Sequence, residues 1–346
     1  MFSKIFNKQT KIHTRILSID GGGVKGIVPA VILSYLEDRL QQLSDNPDAR
    51  IADYFDLFAG TSTGSLIVAS LLTPDKNARP KYTATDIVDL YLKNAKNIFN
   101  SSLLQDIKSV SGLLGVKYDA QGANLVYEQY FGNHELKELL KPCLIPVYDL
   151  TIGKNYFFRQ HKAVVSDRHN YYLKDMLRAA TSAITYFPPA SIATVNGKKA
   201  CCFVDGGVFA VNPSLSAYAE FRYLHHDLYS KNTMMLSLGT GKQATYLDCA
   251  DVEHWGAVEW RDPGSNLLTT SQAEATNYQL KAVYNSNPNY LRLNPDINQS
   301  HAANLDNSED EYLDFLYHLG KQACVDNKKE INAFARSLIQ SNKNRQ

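Results

Sequence analysis

The stretch YFDLFAGTSTGSLIVASLL, residues 54–72, runs an apolar strand into a glycine-flanked serine and directly on into an apolar helix. Gly60, Ser62 and Gly64 satisfy G-x-S-x-G, a turn so sharp that a side chain on either flank would collide with neighbouring backbone. A strand that reverses this tightly into a helix presents its serine above a sheet edge. That commits the chain to an α/β arrangement with helices layered on a sheet. The serine also sits at a helix N-terminus, whose dipole favours the negative charge that develops during acyl transfer.

A second strand, RILSID, ends in Gly21, Gly22 and Gly23, with Lys25 and Gly26 following before another helical pattern. Gly21, Gly23 and Gly26 fit G-x-G-x-x-G, which raises a dinucleotide site. Such a site needs an acidic residue at the end of the next strand, about 20 residues on. Asp38 falls inside the first predicted helix and Asp45 in the loop after it, while the next strand ends in the serine elbow. A phosphate loop at LGTGKQ fails as well, because Leu236 stands where glycine is required and Gln243 where Ser or Thr is required. No nucleotide cofactor is expected. A glycine run beside a nucleophile has another use, since bare amides can receive an oxyanion.

A third strand, CCFVDGG, carries an apolar run into Asp205, followed by Gly206 and Gly207. Aspartate before Gly-Gly is a common turn-former, yet at the end of a buried strand it is also a candidate base for Ser62. Nine histidines offer the competing reading of a Ser-His-Asp triad, with His225 or His226 as its imidazole. A third reading keeps the same pocket for binding lipid or nucleotide without turnover.

Strand and helix patterns alternate to about residue 242, with the polar, glycine-punctuated segment 85–132 set apart as a cap or insertion. Residues 243–346 are expected to form a helical extension packed on the same domain, with a lid, an oligomer surface or a regulatory site as its open roles. Residues 1–14 form a basic leader in which Phe2, Ile5 and Phe6 beside Lys4, Lys8 and Lys11 suit either a frayed end or an amphipathic foot on lipid. It lacks the apolar core of a secretion signal, which points to cytoplasmic synthesis. No apolar run approaches the ~20 residues needed to cross a bilayer. Thirty-six basic against 35 acidic side chains leave a net charge of +1, so no global field draws nucleic acid. Five cysteines without C-x-x-C spacing read as free thiols, with no metal site.

In this order, DGGGVKG (from Asp20), GTSTG and DGG resemble the patatin-like phospholipase family. ATSAITYFPPA (180–190) and SLGTG (237–241) are similar to further family segments, so that the resemblance runs from Ile16 to Gly241. It implies a three-layer α/β/α fold with a mostly parallel central sheet. It implies a Ser-Asp dyad without metal or cofactor, and hydrolysis of fatty-acyl esters in membrane lipids, of phospholipase A or lysophospholipase type, by a protein peripheral to the membrane. Ser62 would be the nucleophile, Asp205 the base, and Gly21, Gly22 and Gly23 the oxyanion hole. One departure is Lys25, where many relatives carry arginine; lysine keeps the charge but loses the planar fork.

Overall fold

The computed structural model describes residues 14–99, 115–198, 200–225, 233–244, 246–285, 287–301 and 304–343. The leader, apart from Thr14, and the middle of the expected cap, 100–114, lie outside the described residues, as does His226. In chain order the first half contains β1 (Thr14–Ile19), α1 (Ile27–Ser44), β2 (Leu57–Gly60), α2 (Thr63–Leu72), α3 (Ala84–Ile98), α4 (Gln121–Phe131), β3 (Cys143–Asp149), β4 (Lys154–Arg159) and α5 (Gln160–Val165). There follow α6 (Leu173–Ala180), β5 (Ala190–Ala193), β6 (Ala200–Asp205), α7 (Ser214–His225), β7 (Thr233–Leu238), β8 (Lys242–Gln243), α8 (Cys249–Val252), α9 (Ala257–Tyr284), β9 (Tyr290–Leu293), β10 (Asp296–Ile297), α10 (Asp310–Asp326) and α11 (Lys328–Lys343).

Successive side chains of a strand face opposite sides of its sheet, and here both sides are apolar. Leu17 and Ile19 of β1, Phe58 of β2 and Met234, Leu236 and Leu238 of β7 join one core with α1, α2, α3, α10 and α11. Their neighbours Ile16, Leu57, Ala59 and Met235 join another with Ala217 and Phe221 of α7 and Leu280 and Tyr284 of α9. The result is the expected three-layer α/β/α fold. Its eight-stranded sheet runs β5-β6-β3-β2-β1-β7-β9, with β4 on β3. The pairings β3-β2, β2-β1, β1-β7 and β7-β9 are parallel, and the antiparallel strands β4, β5 and β6 gather at one side.

The strand β3 decides where the site forms. Its start pairs in parallel with β2, Ala59 opposite Leu144, and its end pairs antiparallel with β6, Asp205 opposite Val147. β2 and β6 therefore run toward each other along β3, and their carboxyl ends, one bearing the elbow and the other the aspartate, converge. The sequence places both at one sheet edge; the structure brings them together head to head instead.

Two segments set apart in the sequence join the main body where they are described. In 85–132, α3 buries Ile87, Leu90, Tyr91 and Ala95, and α4 buries Ala123, Val126 and Tyr127, all in the same core as β1. In 243–346, β9 completes the main sheet in parallel with β7. A four-residue strand with arginine inside it, YLRL, shows too little alternation to be read as a strand from sequence.

Candidate active site

Ser62 stands between β2 and α2 with φ 51° and ψ −121°, a backbone conformation that L residues rarely adopt. Holding a non-glycine residue there costs on the order of 1–3 kcal/mol, and the surrounding hydrogen bonds enforce it. Thr61 N–H donates to Ile19 O (3.2 Å), Gly64 N–H to Thr61 O (2.7 Å) and Ser65 N–H to Ser62 O (2.8 Å). The two glycines are sterically required: a Cβ on Gly60 would strike the carbonyl of Gly64, and one on Gly64 would strike that of Ile19. The elbow is further gripped by Tyr91, buried on α3, whose hydroxyl bonds both the Thr63 hydroxyl and the Thr63 carbonyl (3.0 Å for the latter).

The glycine loop lies against the serine. A Cβ on Gly21 would sit 3.3 Å from Ser62 Cβ, and Gly23, with φ 60°, lines the same cavity as Ser62. The three amides are not equivalent. Gly21 N–H is engaged by Val211 O at 2.9 Å, which removes it from the expected oxyanion donors. Among the described residues the Gly22 and Gly23 amides have no hydrogen-bond partner, and neither has the amide of Thr63 at the start of α2. Thr240 packs against the back of the loop, its hydroxyl donating to Gly21 O at 2.9 Å. A Cβ on Gly22 would collide with it. Gly26 likewise has no room, since a Cβ there would meet the Thr63 and Tyr91 hydroxyls. Burial pushes the Lys25 ammonium down to about 8.

Asp205 is 4% exposed and acts in two ways. Its Oδ1 accepts from Gly207 N–H at 2.7 Å, capping the turn at Gly206–Val208, and the Ser62 side chain lies near enough to the same carboxyl to pull its titration down. The turn-former and the carboxyl beside the serine are thus one residue. Burial pushes the carboxyl up to about 6, against the opposing pull of Ser62 and of the Gly207 amide. Gly206 passes so close to β3 that a Cβ would meet Pro146 O. Asp205 N–H donates to Ser182 O at 3.0 Å, tying this strand end to the segment 181–187.

The cavity that Ser62 lines is largely apolar, walled by Val24, Leu66, Ala95, Ile98, Phe99, Phe187 and Leu305, with Thr63, Tyr91, Tyr127 and Thr181 as its polar lining. Among the described residues no histidine lines it. His225 is the last residue of α7, and the described histidines that form pairs do so elsewhere, as His161 does with Glu220 at 2.9 Å. Sequence reasoning missed Tyr91, Tyr127, Thr240, Leu305 and above all Arg292. Arg292 grips Asp20 with a two-armed fork, Nη1 to Oδ1 at 2.7 Å and Nη2 to Oδ2 at 2.5 Å. The signal was present as a charge between leucines in YLRL, which in a buried strand requires a partner. Among the described residues no helix is long and apolar enough to cross a membrane.

A model of the family described as Patatin-like phospholipase matches residues 17–218, a span that holds the glycine loop, Ser62 and Asp205. Patatin group A-2 and Patatin-05, both of Solanum tuberosum, are 33% and 32% identical to the chain over 329 residues, covering 88% of it and 82% of each relative. The crystal structure of VipD from Legionella pneumophila aligns with a TM-score of 0.37 and 12% identity over 90% of this chain and 66% of that one, too loose a likeness to argue from. With more than half of the chain inside the family match and identity sustained along most of the rest, the chain belongs to the patatin-like phospholipase family.

Proposed function

We propose that this lipid acyl hydrolase cleaves the fatty-acyl ester bonds of membrane phospholipids through a Ser62–Asp205 dyad, with the Gly22 and Gly23 amides as the core of its oxyanion hole. Ser62 Oγ attacks the ester carbonyl carbon while its proton passes to Asp205. The oxyanion settles on the glycine amides, the tetrahedral intermediate collapses, and Asp205 returns the proton to the leaving lysophospholipid oxygen. Water then attacks the acyl-Ser62 ester, giving its proton to Asp205; the second tetrahedral intermediate collapses as Asp205 returns that proton to Ser62 Oγ, and the fatty acid departs. The observation that carries this reading is the convergence of β2 and β6 along β3, which sets a buried carboxyl, its basicity raised by burial, beside the Ser62 side chain. A carboxyl near 6 is mostly ionised at pH 7 yet a far better proton acceptor than one near 3.8. No imidazole is needed between them.

The lipid is taken from a surface, with the protein peripheral to it. Ile184 and Val208, 56% and 44% exposed, sit on the two segments joined by the Asp205–Ser182 bond beside the serine. Both are suited to entering the headgroup boundary while a single acyl chain enters the apolar cavity. A fluorophosphonate probe tests the reading: it should label the folded wild type on Ser62, identified by peptide mass spectrometry, and leave Ser62→Ala unlabelled. A folded wild type that takes no label, or takes it at another serine, refutes the proposal.

A further inference from the structure

Asp20 begins the glycine loop, and its carboxylate is buried, so the group that neutralises it controls where the loop starts. That group is Arg292 of β9, 8% exposed against 4% for Asp20, joined by the two-armed bond. Arg292 is itself fixed from behind. Its Nη1 also donates to Ser237 Oγ at 2.9 Å, and Ser237 and Ser18 share the Ser214 hydroxyl at 2.8 and 2.9 Å. A second tie runs in parallel: Leu305 O accepts from Val24 N–H at 2.8 Å, at the far end of the same loop. Both ties come from residues beyond the 17–218 family match. A buried ion pair is a weak device for stability, because apolar residues of the same volume often stabilise as well. A planar fork does fix angle and distance in a way that packing does not.

We propose that Arg292 is a positioning residue for hydrolysis: by gripping Asp20 it sets the Gly22 and Gly23 amides at the height and angle that the oxyanion above Ser62 requires. The inference rests on the dyad and oxyanion-hole reading above. It assigns to β9, and not to the residue at position 25, the fork that the glycine loop uses. Lys25 lacks a planar fork, and Arg292 supplies one from across the sheet.

The test compares wild type with Arg292→Lys, which keeps the charge and loses the fork, and with Asp20→Asn/Arg292→Gln, which removes both charges and so leaves no buried ion alone. Circular dichroism and melting temperature report folding; kcat and KM on a water-soluble p-nitrophenyl ester report function. Removing one oxyanion donor lowers kcat by about 100- to 1000-fold. Misaiming two should lower kcat about 10- to 100-fold in whichever variant folds, with KM within about twofold and fluorophosphonate labelling slowed in step. A role in folding alone would lower melting temperature and leave kcat of the folded fraction intact. Wild-type kcat in a folded variant overturns the proposal, as does failure of both variants to fold, which would make the pair a fold determinant. An unlabelled wild type refutes the hydrolase reading instead, so the two failures are distinguishable.

Discussion

At the scale of single residues, the site stores its function as local instability. Ser62 holds a conformation that suits glycine better than serine, so Ser62→Gly should melt higher than Ser62→Ala, by an amount corresponding to about 1 kcal/mol or more. Both variants should be inactive. Differential scanning calorimetry on the two decides whether the elbow is strained in solution. Asp205 carries the complementary instability. Its folded-state carboxyl titrates at about 6 against an ordinary 3.8, so between those values the folded protein binds more protons than the unfolded chain, and stability falls as pH rises through the window. Two pKa steps correspond to on the order of 2–3 kcal/mol. Asp205→Asn, which keeps the shape and carries no charge, should therefore melt above wild type at pH 8 and lose that advantage as pH approaches 4. Equal melting temperatures across the range would mean that burial does not disfavour the Asp205 charge.

At the scale of elements, β3 is what unites the site, and it shows what a sequence can and cannot announce. Most strands and turns of the first 242 residues carried their own signal: apolar runs, G-x-S-x-G, and the aspartate before Gly206 and Gly207. Pairing direction carried none, because β6 reads the same whether it runs with β3 or against it. The three glycines read as equivalent donors, since only the fold shows that Val211 occupies the amide of Gly21. Arg292 and Leu305 were hidden for a related reason: their partners are Asp20 and Val24, more than 250 positions away along the chain. The packing of Gly22 on Thr240 yields a further expectation. Gly22→Ala must displace the Thr240 side chain and with it the loop, so kcat should fall at least tenfold with KM little changed, as steady-state kinetics on a soluble ester would report. A Gly22→Ala enzyme with wild-type kcat would show that the loop does not contact the transition state.

At the scale of the whole molecule, three layers leave the serine on a rim made of segments from distant parts of the chain. Ser62, the glycine loop, Asp205 and the 181–187 segment are stitched to one another by backbone hydrogen bonds, and exposed Ile184 and Val208 stand at that rim. Ile184→Asp/Val208→Asp should cut hydrolysis of phosphatidylcholine vesicles at least tenfold, with matching loss of vesicle co-sedimentation. Turnover of a soluble short-chain ester should stay unchanged, because the dyad is untouched. Equal losses on both substrates would place these residues in catalysis and not in surface contact.

The dyad itself is tested most directly by the pH dependence of kcat/KM on micellar phosphatidylcholine for wild type, Asp205→Asn and His225→Gln, each shown to be folded. The wild type should gain activity with rising pH through an acid limb near 6, the value to which burial pushes Asp205. His225→Gln should keep that limb and most of the activity, while Asp205→Asn should lose at least 1000-fold and show no limb. An active Asp205→Asn enzyme beside a dead His225→Gln enzyme would contradict the dyad and assign the proton transfer to an imidazole.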